Sequence, residues 1–212
     1  MKQWMACAGF VLTLALSACS EEEVMPAYQQ DLVELWTDRV GHPYRMVLDN
    51  GKSLSFEPLS QELVHDSCYR AQVLFVENGQ RAELYGLSLV FSPLAQSLAT
   101  YPSHPLIWQA AWVSPRYFNL RVGIKTGGEK HAFAFVHKGL TLHADGRQTL
   151  ELALAHDQQG DATYYTEDRY LSCPLFPYEQ QLVGGRDSVA MEVPTFKGIQ
   201  RKCFLYGKAS LK

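Results

Sequence analysis

The strongest constraint on how this chain can fold is a period-two alternation of apolar and polar side chains that returns along most of its length. In Phe118-Asn119-Leu120-Arg121-Val122-Gly123-Ile124, the large apolar residues all fall on one face of an extended strand. Leu150, Leu152 and Leu154 repeat the pattern around Glu151. Phe133 and Phe135 alternate with Ala132 and Ala134, and Tyr69, Ala71, Val73 and Phe75 form another row. Neighbouring residues of a strand point to opposite sides, so each segment can bury one face and wet the other, as antiparallel sheets commonly do. Helical periodicity is weak everywhere. Ser60–His65 is the one stretch where a short helical turn is expected.

Turn chemistry supports the strands. Asp49-Asn50-Gly51 lies between Tyr44–Leu48 and Ser53–Phe56, and Asn78-Gly79 lies between Tyr69–Glu77 and Gln80–Phe91. Asn-Gly tolerates positive φ at both centres of a tight turn and so matches strand twist. Gly127-Gly128, between Tyr117–Lys125 and Lys130–His137, predicts a third hairpin, and His156–Asp161 a polar hairpin loop. The stretch Ser92 to Pro105 holds Pro93, Pro102 and Pro105 and marks a boundary, because proline removes backbone donors and suits connections. The chain is therefore expected to be all-β: a small OB-like β-barrel over residues 28–95, with four or five strands, followed by an antiparallel β-sandwich over residues 105–212, with about seven.

The amino end is an address. Lys2 precedes an apolar run, Ala6 to Leu16, of about eleven residues, which suits a signal peptide and is too short for a membrane span of ~20. The run ends in Leu16-Ser17-Ala18-Cys19, where small residues let a peptidase seat the backbone and the thiol accepts a diacylglycerol. Residues 1–18 are thus expected to be a lipoprotein signal peptide, and residues 19–27 the lipidated Cys19 with an acidic linker, Ser20-Glu21-Glu22-Glu23 at its start. Two or more acyl chains hold a protein firmly to a bilayer, so the membrane is the first expected partner. Lys and Arg number 19 against 22 Asp and Glu, a net charge of −3, and no basic run appears, which excludes a nucleic-acid partner.

Cys7 leaves with the leader and Cys19 carries lipid, so Cys68, Cys173 and Cys203 remain. An odd number argues against a full disulfide framework. Cys173 and Cys203 could pair. The simpler expectation is that all three are small buried apolar residues.

Several segments resemble the NigD-like family of Bacteroidota lipoproteins. They run from Trp112-Val113 through Arg116-Tyr117-Phe118-Asn119-Leu120 and Lys130-His131 to Leu150-Glu151-Leu152 and His156-Asp157. Gly160-Asp161-Ala162-Thr163-Tyr164-Tyr165 and Tyr170-Leu171-Ser172 follow. Upstream, the Asn50-Gly51 hairpin and Arg70-Ala71-Gln72-Val73-Leu74-Phe75-Val76 look similar. Phe118 departs from the leucine common there, while Cys173 and Cys203 match no motif of the family. The resemblance implies an N-terminal OB-fold and a C-terminal β-sandwich, with no established enzymatic activity. The acidic residues after Cys19 also resemble the tag that directs Bacteroidota lipoproteins to the outer face of the outer membrane.

Candidate chemistry is sparse. His131, His137, His143 and His156 lie in one stretch, but His131 and His137 are about 20 Å apart along one strand, so a metal would need ligands from neighbouring strands. The loop from His156 to Asp161 carries two carboxylates, Asp157 and Asp161, which could hold calcium, although Gly160 more simply supplies a left-handed turn there. Glu167 and Asp168 are adjacent on a strand, point to opposite faces and cannot act together on a glycosidic bond. No Gly-x-Ser-x-Gly, His-Glu-x-x-His or phosphate loop is present. No cofactor, metal or catalytic residue is therefore expected. Aromatics are plentiful. Trp108 and Trp112 are expected to share a strand face in the core, while Tyr164 and Tyr178, with Asp157 and Asp161, are the candidate ligand-binding residues. The chain reads as a non-catalytic, surface-exposed outer-membrane lipoprotein binding an extracellular protein or glycan. A bacteriocin-associated immunity protein and an unrecognised hydrolase are the alternatives.

Overall fold

A computed structural model describes residues 26–207. The leader, Cys19 and residues 20–25 of the acidic linker lie outside the described residues. Five strands form the first unit: β1 (Tyr28–Thr37), β2 (Pro43–Leu48), β3 (Ser53–Ser55), β4 (Cys68–Asn78) and β5 (Arg81–Leu89). They close into a barrel in the order β1-β2-β3-β5-β4. The row read from β4 fills it, since Ala71, Val73 and Phe75 are fully buried against Val33, Leu35, Met46 and Leu54. Both Asn-Gly turns make hairpins, pairing Val47 with Ser53 and Asn78 with Arg81. Ser60–His65, expected to be a short helical turn, is irregular as far as Val64, and a turn at His65-Asp66 with positive φ at Asp66 follows. Leu63 and Asp66 instead give their amides to the carbonyls of Gly41 and Asp38, which ties this loop to the β1–β2 turn.

The second unit is a sandwich of two sheets. One has the order β10-β7-β6, built from β6 (Ile107–Val113), β7 (Tyr117–Thr126) and β10 (Tyr165–Pro174). The other has the order β12-β11-β9-β8, built from β8 (Ala132–Leu142), β9 (Gln148–Asp157), β11 (Ser188–Thr195) and β12 (Gly198–Leu205). Phe118, Leu120, Val122 and Ile124 of β7 meet Leu150, Leu152 and Leu154 of β9 in the core. The architecture is the all-β barrel and sandwich expected. It differs in one pairing, because β9 and β11 run parallel, joined by a long excursion through β10 and a single turn of 3-10 helix at Phe176–Tyr178.

Two expected hairpins are crossovers. Gly127-Gly128 carries the chain from β7 in one sheet to β8 in the other, and the loop after His156 carries it back to β10. Turn residues signal a reversal, but not which sheet the next strand joins. A bulge between Trp108 and Ala110 in β6 also breaks the alternation. Trp108 pairs with core-facing Val122, whereas Trp112 pairs with Asn119 on the opposite face. The two tryptophans therefore do not share a face. The three described cysteines are free: Cys173 is buried in the core, but Cys68 and Cys203 are exposed.

The proline-rich connector straps the sandwich. Gln96 accepts from the His137 amide and donates to the Phe135 carbonyl along the edge of β8. The Pro102 carbonyl accepts from the His156 amide, and His104 donates back to the His156 carbonyl. Between them, Tyr101 covers Val136, Ala153 and Ala155 on the outer face of the sheet.

Candidate functional site at the junction of barrel and sandwich

The burial of β1 shows that the barrel has a second buried face. Leu32, Val33, Glu34 and Leu35 are all buried, although a barrel strand facing water on one side should alternate. The outward residues meet the outer face of the β10-β7-β6 sheet. Arg70 of β4 lies at the centre of this contact and is only 3% exposed. Its guanidinium donates to both carboxylate oxygens of Asp49, at 2.8 and 2.7 Å, and to Asn119 Oδ1 at 3.1 Å. Ser172 Oγ completes the group, donating to Asn119 Oδ1 at 2.7 Å. The Tyr117 ring lies 4.2 Å from the Arg70 guanidinium carbon. The Tyr117 hydroxyl donates to Glu34 Oε1 at 3.0 Å, and Arg116 pairs with the same oxygen at 3.1 Å. Burial, then the neighbouring Glu34 charge, pushes the Tyr117 hydroxyl pKa well above the usual tyrosine range. A bidentate arginine with most of its remaining donors satisfied, as Nε by Ser172 and Nη2 by Asn119, is a form in which a buried ion pair is well tolerated. This network fixes the barrel on the sandwich.

Beside the locked contact, the two units diverge and leave a cleft of about 540 Å³. Its sandwich wall carries Trp112, Arg121 and Tyr170, and its barrel wall carries Gln30 and Gln72. The Arg121 guanidinium lies over the Tyr170 ring, 5.7 Å from its centroid, and is held by Asp168, which also accepts from Gln109. Hydrogen bonding from Arg121 and then Gln109 keeps the Asp168 carboxyl below its ordinary pKa. The cleft thus offers half-buried ring faces beside a guanidinium held by Asp168 and the side-chain amides of Gln30 and Gln72. Sequence reasoning missed Trp112 here because it assumed unbroken alternation, and a one-residue bulge leaves almost no signature in a single sequence.

The residues singled out by sequence lie elsewhere. Tyr164 is 84% exposed, in the crossover before β10. Tyr178 is 8% exposed and packs in the sandwich core beside His137, so it offers no free ring face to a ligand. The Asp161 carboxylate is buried and accepts from the Thr126 hydroxyl, the Gly127 amide and His131 Nε2. Asp157 accepts from the Gln159 amide at 2.9 Å, within its own turn. Asp161 is thus engaged by β7 and its crossover and not turned toward Asp157. Among the described residues, no group of three or more His, Cys, Asp or Glu side chains is arranged to hold a metal ion. Cys19, the lipidation candidate, lies outside the described residues.

Residues 95–206 match the model of a family described as the NigD-like C-terminal beta sandwich domain. No curated protein sequence matches the chain. Among solved structures, a NigD-like immunity protein from Bacteroides caccae aligns with a TM-score of 0.67 and 20% identity, covering 85% of this chain and 98% of that one. A protein of unknown function from Bacteroides vulgatus aligns at 0.63 and 17%, covering 86% and 92%. A candidate lipoprotein from Bacteroides fragilis aligns at 0.57 and 10%, covering 87% and 100%. At these identities the likeness is one of fold, and it extends over both barrel and sandwich.

Proposed function

The chain belongs to the NigD-like family, and from that premise we propose that it is a lipid-anchored, non-catalytic binding protein whose cleft takes an extracellular glycan. The observation that carries the reading is the juxtaposition of Trp112 and Tyr170 with Gln30, Gln72 and Arg121 in one cleft. Sugars present apolar ring faces and dense hydroxyls, and they need aromatic surface beside fixed hydrogen-bond partners. Anchoring through Cys19 to the outer membrane, with the acidic linker directing the protein outward, is supported by the leader sequence and by the candidate-lipoprotein neighbour. A glycoside hydrolase would need two carboxyls facing each other across the cleft, and Asp31 is the carboxylate in its lining. Asp168 is instead committed to Arg121 and Gln109.

The second reading is an immunity-type protein that binds a protein partner. It is favoured by the neighbour from Bacteroides caccae, which is described as an immunity protein. A glycan array separates the two. Glycan binding lost in Trp112→Ala, but kept in Tyr164→Ala, would support the cleft. Capture of one envelope protein by both variants, with no glycan retained, would favour the protein partner.

A further inference from the structure

His131, at the end of the crossover just before β8, and His156 of β9 meet inside the sandwich with side chains almost wholly buried. Their hydrogen-bond partners fix where the ring hydrogens are. His156 Nδ1 lies 2.9 Å from the His104 carbonyl oxygen, which can only accept, so Nδ1 carries a hydrogen. His131 Nε2 lies 3.1 Å from Asp161 Oδ2, an ionised oxygen that already accepts from Thr126 and Gly127, so Nε2 carries one too. That leaves His131 Nδ1 and His156 Nε2 facing each other at 2.8 Å. Two bare nitrogens would oppose lone pair to lone pair at that separation, so a third hydrogen lies between them. Flipping either ring would put carbon at both of its contacts and lose both bonds. Two neutral imidazoles hold two ring hydrogens, and this pair needs three.

We infer that His131 is a buried imidazolium, donating one N–H to Asp161 and the other to a neutral His156, and that this proton clasps together the two inter-sheet crossovers and the connector. The Asp161 carboxylate lies against His131 and not against His156, and burial pushes the His156 pKa below its usual value, so the charge sits on His131. Hydrogen bonds from Thr126, then Gly127 and His131, hold the Asp161 carboxyl well below its ordinary range, so the counter-charge is present at neutral pH. Other groups surround the pair. His104 and Asp157 stand on the far side of His156, 3.4 Å from each other, and Phe133 stacks on the His156 ring. Lys130 and Arg169 share with His131 the lining of a separate cleft of about 640 Å³.

Ring-nitrogen NMR on the whole protein at about pH 7 tests the count. The expected result is one histidine protonated at both nitrogens, coupled across the N···N bond to one protonated at Nδ1 alone. Two neutral rings at that pH would overturn the inference.

Discussion

Replacing Arg70 with Met tests whether the buried network fixes barrel to sandwich. Methionine keeps most of the side-chain stem but removes all four hydrogen bonds that the guanidinium donates, two to Asp49, one to Asn119 and one to Ser172. Losing one partner of a buried ion pair costs about 3–5 kcal/mol, mostly by stranding the other charge. Asp49 keeps 22% of its side chain exposed, so water partly compensates it and the lower end, about 3 kcal/mol, applies. For a chain of this size, that corresponds to a Tm lowered by about 6–12 °C. Thermal unfolding followed by circular dichroism measures it. The same reasoning requires Asp49→Asn to recover part of the loss in the Arg70→Met background, because the stranded charge is gone. A loss below about 1 kcal/mol in the single variant, or strictly additive losses in the double, would refute the account.

Three further outcomes follow from the geometry. Gly41→Ala would place a methyl 2.2 Å from the Leu63 carbonyl oxygen at a residue with φ of +91°, so it should cost at least about 2 kcal/mol in urea unfolding. Tyr117→Phe removes the bond to Glu34 but leaves Arg116 to satisfy that carboxylate, so it should cost only about 1 kcal/mol in the same assay. Asp187 is buried and accepts from Arg186 and from the Val183 and Gln148 amides, and these hold its carboxyl well below the usual range. Its contribution is present above the unfolded value of about 3.9 and is lost as pH falls below it, so Asp187→Asn should flatten the acid limb of the stability curve.

Most of the fold was legible because period-two patterning reports local conformation and burial together. The β4 row and both Asn-Gly hairpins appear where the sequence places them. What escaped depended on partners distant in sequence. Gly127-Gly128 is as good a reversal as Asn78-Gly79, yet it changes sheets, because the choice is made by which strand edge is free. Trp112 was placed on the wrong face by a single bulged residue. Tyr178 looked available because nothing local announces that a 3-10 turn will be pressed into a core. The candidate site was less legible than the fold, since its walls come from β1, β4, β6, β7, β10 and β12. Even so, Arg70, Tyr117, Asn119 and Ser172 all lie in segments that carried the family resemblance. Those segments meet where the two units join.

The connector strap bears on any attempt to isolate the C-terminal half. Gln96 occupies hydrogen-bonding groups on the outermost strand, and Tyr101 roofs three small apolar residues behind it. A fragment begun at Ile107 would leave that margin with bare main-chain donors beside an uncovered greasy strip. Such margins invite other copies to stack on them strand against strand. The prolines of the strap thus serve as insulation as much as linkage, and a fragment begun before Gln96 should stay dispersed where the shorter one clumps.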